Sequence, residues 1–124
     1  MAFQAPVIVK PGDIYWCKPD PADTVGSEIE KDRMWVVVSQ SHLNRGNCVV
    51  AVPPTRNMTK GIAHLIAIPK DYLILDNQHP PNDSVALTDQ IRCLDKTRFR
   101  RKAGRITDLG LSGIKTGLEY LVGI

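Results

Sequence analysis

The chain has 124 residues, 43% of them apolar and 23% charged, with a net charge of +3. That balance fits one folded domain over residues 1–124 with a single core, and it excludes a disordered, highly charged polymer. Cys17, Cys48 and Cys93 are an odd set without C-x-x-C spacing, which excludes a disulfide framework and a cysteine-built zinc site and suits a reducing cytoplasm.

The first residues, MAFQAPVIVKPGD, lack the basic start and apolar stretch of a secretory signal, and no apolar run is long enough to span a bilayer. Pro11-Gly12 is a turn signal, and Asp13 to Cys17 (DIYWC) follows it as a predicted strand. Acidic residues then concentrate at Asp20, Asp23, Glu28, Glu30 and Asp32. Trp35 to Ser39 (WVVVS) is almost wholly β-branched or aromatic, so a buried strand is expected. Asn44-Arg45-Gly46 turns the chain into a strand from Asn47 to Pro53, and Ile62 to Pro69 supplies another. Ser84 to Leu94 is expected as one strand, with Val85, Leu87, Asp89 and Ile91 on one face and Ala86, Thr88, Gln90 and Arg92 on the other. Short strands separated by turn residues predict a small twisted sheet or barrel.

From Lys96 to Arg105 there are six basic residues and no acidic one. The run is open to two readings, a solvated face or a stripe that contacts a polyanion. The tail changes period. Leu109, Leu111, Ile114, Leu118, Leu121 and Val122 recur near helical spacing, with Thr107 or Asp108 as cap. Gly110, Gly113 and Gly117 each weaken such a helix by up to ~1 kcal/mol relative to alanine, so it must lean on packing against the sheet.

The usual catalytic signatures are missing. His42, His64 and His79 have no zinc-binding spacing, and there is no G-x-S-x-G, G-x-x-x-x-G-K or G-x-G-x-x-G. His64 is expected to be structural and His79 to lie in a loop. What remains is polar residues at element ends, where a rigid sheet can position them. Ser27 and Glu28 precede the second strand, Arg33 stands at its start, Thr55 and Arg56 follow the third, and Asp89, Gln90 and Arg92 interrupt an apolar run.

Five stretches carry a resemblance. PGDIYWC, VGSE, DRMWVVVSQSHLNR, VVAVPPT and DSVALTDQIRCLDKTRF occur in that order between Pro11 and Phe99. Together they resemble the MazF/PemK/Kid family of ribosome-independent mRNA-cleaving toxins. The resemblance implies a mainly β (α+β) fold, an SH3-like small β-barrel with a C-terminal helix, and a homodimer. It implies a metal-independent, sequence-specific endoribonuclease without cofactors, with single-stranded RNA as substrate and a small acidic antitoxin as partner. The chain departs from the family pattern at Met34, Ile29 and Arg56. Leu87 also stands where one branch of the family has an arginine proposed as catalytic acid. The branch built on the arginine before strand two and the threonine after strand three fits better, through Arg33 and Thr55.

RNA carries its own nucleophile, the 2′-OH, so the protein need supply only proton acceptance, leaving-group protonation and donors aimed at the phosphorane. On that reading Arg33 contacts the phosphate, since a guanidinium matches it bidentately. Thr55 donates to a non-bridging oxygen. Glu28 or Asp89 is the carboxylate base, with Glu28 equally able to serve only as a partner that orients Arg33. Ser27, Arg56, Lys60, Gln90 and Arg92 are expected to bind RNA. Tyr15, Trp16 and Trp35 are the aromatic platforms available for stacking, at least two of them expected in the core. Two rival readings are a CcdB-type gyrase poison and an inactive member that binds RNA or a partner without cleavage.

Overall fold

The computed structural model describes residues 8–19, 31–56, 66–76 and 81–123. Among these described residues nine strands and one α-helix follow in order: β1 (Asp13–Cys17), β2 (Arg33–Val37), β3 (Cys48–Val52), β4 (Pro54–Thr55), β5 (Ile66–Ile68), β6 (Leu73–Leu75), β7 (Ser84–Ala86), β8 (Arg92–Asp95), β9 (Phe99–Ile106) and α1 (Asp108–Val122). The fold is therefore mainly β with a C-terminal helix. The strands form two antiparallel sheets, one of order β6-β9-β1-β2-β3-β8 and one of order β4-β7-β5. Among the described residues β6 and β8 end the large sheet without pairing with each other, so the sheets do not close into a barrel. One physical break lies at Pro53-Pro54. Proline has no N–H for the ladder, so the chain leaves β3 there and enters the small sheet as β4.

The apolar run of β2 is continuous because both faces of the large sheet are covered. Ile14, Val36 and Val52 point into a core shared with Ile68, Leu73, Ile106, Leu111 and Ile114. Their neighbours Tyr15, Trp35, Val37, Val49 and Ala51 point the other way, into a second cluster with Val9, Leu94 and Phe99. The Tyr15 and Phe99 rings stack there with centroids 4.5 Å apart. Buried Asn44 secures that side, its amide donating to the carbonyls of Val9 at 3.0 Å and Ser39 at 2.8 Å.

Ser84 to Leu94 is not one strand. β7 pairs in the small sheet and β8 in the large one. Between them Thr88–Gln90 forms a single 3-10 turn, closed by Gln90 N–H donating to Leu87 O at 2.9 Å. Thr88 is fully buried under α1, and Leu87 is 2% exposed. The alternation read over this stretch fails because burying Thr88 and Leu87 in succession outweighs the strand period.

The helix begins where expected. Thr107 is the N-cap, its side chain accepting from Gly110 N–H at 3.3 Å. Leu111 and Ile114 are buried against the sheet. Gly110 and Gly117 are packing residues: a Cβ on Gly110 would lie 2.5 Å from Ile106 Cγ1, and one on Gly117 would collide with Ile66. The helix sits closer to the strands than any side chain would permit, so the intrinsic cost of these glycines is offset by contact.

Candidate functional site

β2 begins at Arg33, opposite Cys17 in the register, and places the guanidinium at the strand's exposed end. β4 ends at Thr55, opposite Val85 of the small sheet. The two residues line one cavity of about 400 Å³. Trp16, Met34, Leu73 and Leu75 give it apolar walls, and Asp32, Arg56, Asn82 and Ser84 add polar groups. A second cavity of about 610 Å³ is lined by Arg33, Trp35, Gln90 and Arg92. Arg33 thus stands between two clefts, with Thr55 on one side and the Gln90–Arg92 pair on the other.

The expected site residues divide accordingly. Arg33, Thr55 and Arg56 come together in the first cavity, and Arg33, Gln90 and Arg92 in the second. Asp89 is exposed on the 3-10 turn and lines neither, because the turn that buries Thr88 points its neighbour away from the strand face. Ser27, Glu28, Lys60 and His79 lie outside the described residues, as does the part of the expected Ile62 to Pro69 strand before Ile66; its remainder forms β5.

The sequence reading missed Asp32, the one carboxylate that lines the first cavity beside Arg33 among the described residues. Its adjacency to Arg33 in the chain was the available signal. It was also blind to Asn82 and Ser84, which reach the cavity only through the pairing of β7 with β4.

Arg33 is exposed as a residue, but partial desolvation holds its guanidinium below the usual arginine value. It lies 6.0 Å from the Trp35 ring centroid, at the outer limit of a cation–π contact. Of the aromatic candidates, Tyr15 and Trp35 are core residues, as expected for two of the three. Trp16 is half-buried and borders the first cavity. Arg101 lies 5.6 Å from the Trp16 ring and is held by Asp76 at 2.7 Å. Burial pushes the Cys17 thiol up to about 12, and burial with nearby Asp13 does the same to the Tyr15 hydroxyl. Both stay protonated at neutral pH, so neither is a base or nucleophile for the cavity.

The basic run resolves toward charge pairing. Arg100 meets Asp32 at 3.5 Å, Arg101 meets Asp76 at 2.7 Å, and Lys102 meets Asp13 at 3.3 Å. Arg98 Nε donates to Lys18 O at 3.1 Å. Exposed pairs of this kind contribute little stability. They do lower the net positive field along β9, which weakens the polyanion-stripe reading. Among the described residues no group of three or more His, Cys, Asp or Glu side chains is placed to hold a metal ion. Among them, too, no helix is long and apolar enough to cross a membrane.

Residues 10–122 match the family of PemK-like, MazF-like toxins of type II toxin–antitoxin systems. Among solved structures, an endoribonuclease from Mycobacterial species is 24% identical with a TM-score of 0.67, covering 98% of this chain and 96% of that one. An endoribonuclease in complex with its cognate antitoxin, also from Mycobacterial species, is 25% identical with a TM-score of 0.66 and 97% of both chains covered. MazF in a MazE–MazF crystal structure from Deinococcus radiodurans is 22% identical with a TM-score of 0.72, covering 94% of this chain and 97% of that one. Among curated proteins, none matches the chain. With the match spanning nearly its whole length, the chain belongs to the PemK-like, MazF-like toxins of type II toxin–antitoxin systems, the family of the MazF endoribonucleases.

Proposed function

We propose that this chain is a metal-independent, sequence-specific endoribonuclease that cleaves single-stranded mRNA by attack of the RNA's own 2′-OH. The observation that carries the reading is the convergence of Arg33 and Thr55, from different sheets, on one cavity open to solvent. Arg33 binds the scissile phosphate and offsets the charge that grows on the phosphorane. Thr55 donates its hydroxyl to a non-bridging oxygen. A carboxylate beside Arg33 accepts the 2′-OH proton, and Asp32 occupies that place in the cavity. Glu28 is the other carboxylate candidate, either as that base or as a partner that orients Arg33.

In the reaction the 2′-oxygen bonds to phosphorus as the bond to the 5′-oxygen breaks. The departing oxygen takes a proton from water while Arg33 stays cationic. The products are a 2′,3′-cyclic phosphate and a 5′-OH end. Gln90 and Arg92, in the second cleft, hold the RNA on the other side of Arg33. Arg56 extends the phosphate track beyond Thr55, and Ser27 and Lys60 add contacts to it. The toxin works as a cytoplasmic homodimer, and an acidic antitoxin segment occludes the basic cleft.

The test is cleavage of a long single-stranded RNA by purified protein in EDTA, with the product ends mapped. Defined cuts leaving 5′-OH ends, lost in Arg33→Ala and Thr55→Ala, are expected. A folded protein that cuts nothing across a broad RNA panel overturns the reading.

A further inference from the structure

β3 and β8 pair antiparallel, with Cys48 opposite Asp95 and Val50 opposite Cys93. The alternation along both strands puts Val49, Ala51 and Leu94 into the core. Cys48, Val50, Cys93 and Asp95 therefore share the outer face. On that face Cys48 and Cys93 are diagonal neighbours, both exposed. Cys93 beside it, with Asp95, holds the Cys48 thiol above its ordinary value. The third cysteine, Cys17, is buried beneath the opposite end of the sheet, with 0% exposure. Two thiols side by side on an accessible sheet face form a dithiol, and nothing in the fold or the proposed cleavage chemistry uses it.

We propose that Cys48 and Cys93 are a site of reversible oxidation, closing an intrachain disulfide between β3 and β8 when the protein meets a hydroperoxide. The chemistry balances in two steps. One thiolate attacks the peroxide oxygen, the O–O bond breaks, and that cysteine becomes a sulfenic acid as water or alcohol leaves. The second thiol then attacks the sulfenic sulfur, the S–S bond forms, and a water departs with the remaining proton. The peroxide is reduced by two electrons and the two thiols are oxidised by two. Either thiol can make the first attack, and the other, next to it on the same face, resolves the sulfenic acid.

The placement also makes the bond reversible. Diagonal residues on paired strands have Cα atoms about 7–8 Å apart, against about 4.4–6.8 Å across a disulfide. Closure must draw the strands together. β8 can move because, among the described residues, it is an edge strand paired with β3 alone. A bond made under such tension is readily reduced by a dithiol. β8 begins at Arg92, the residue before Cys93 that lines the second cavity, so oxidation reshapes that cleft.

The test leaves RNA aside, so its outcome is independent of the proposed cleavage. Treat the purified protein with a small excess of hydrogen peroxide at neutral pH, quench, digest without reductant and map the peptides. Expected is one species in which the Cys48 and Cys93 peptides are joined, with free thiols falling from three to one and Cys17 unmodified. Dithiothreitol should restore all three. In Cys48→Ser, a sulfenic-acid trap should label Cys93, and no joined peptide should form. Separate sulfinic or sulfonic acids on the two cysteines overturn the proposal. So does a disulfide joining two copies of the chain, or unchanged thiols in protein that remains folded.

Discussion

Arg33 and Thr55 reach the same cavity from different sheets, Arg33 from the exposed start of β2 and Thr55 from the end of β4. Neither sheet alone would make the site. The Pro53-Pro54 step diverts the chain out of the large sheet and sets Thr55 across from Arg33.

The two residues should separate by chemistry. Arg33→Lys keeps the charge but loses the bidentate fork, so it should lower kcat on RNA by about 10²-fold or more. Thr55→Ala should fall in a similar range, while Thr55→Ser retains most activity because the hydroxyl remains. Single-turnover cleavage rates check both. The melting temperatures should move little, since Arg33 is exposed and Thr55 only half-buried.

Two carboxylates make opposed predictions. Asp32→Asn should depress the cleavage rate by about 10²-fold if it accepts the 2′-OH proton. Asp89→Asn should leave the rate within about two-fold, because Asp89 lines neither cavity. The reverse result would return the base to the 3-10 turn.

Trp16 is a wall of the first cavity, braced by Arg101 and Asp76. Asp76→Ala should release Arg101 and loosen the ring. The expected outcome is a rise in KM for RNA of about two- to five-fold with kcat little changed, matching the ~0.5–1 kcal/mol of an exposed cation–π contact. A fall in kcat at constant KM would show that the brace serves the reacting phosphate instead.

The glycines of α1 should respond in opposite directions. Gly110→Ala pushes a methyl to 2.5 Å from Ile106 Cγ1 and should destabilise by ~1–3 kcal/mol. Gly113→Ala meets Ile66 Cγ2 at 3.5 Å, an ordinary contact, and should stabilise by up to ~1 kcal/mol through helix propensity. Urea unfolding of the two variants measures both.

Stability should decline on the alkaline side. Cys17 and Tyr15 titrate in the folded protein at about 12, against ordinary values of 9.0 and 10.0. Above those ordinary values the unfolded chain loses protons that the folded one keeps, which favours unfolding. The stabilisation is complete below about pH 9 and declines as pH rises toward 12. Each group contributes a slope of at most ~1.4 kcal/mol per pH unit. Urea midpoints between pH 8 and 11 should fall, and Cys17→Ala should reduce the slope.

The chain by itself determined its local elements. DIYWC and the helix after Thr107 lie where pattern and cap place them, because β-branched runs and N-cap chemistry act over a few residues. WVVVS is a strand displaced by two residues, as β2 starts at Arg33 to pair with Cys17. The resemblance in five ordered stretches pointed to the family and to Arg33 and Thr55. Only the tertiary structure decided the rest. It divided Ser84 to Leu94 between two sheets, because packing under α1 buries Thr88 and overrides strand alternation. It left the sheets open among the described residues, brought Asp32, Asn82 and Ser84 to the cavity, and matched the basic run with Asp13, Asp32 and Asp76. These contacts join residues far apart in sequence. Their geometry comes from how sheets and helix pack, and no local pattern encodes that.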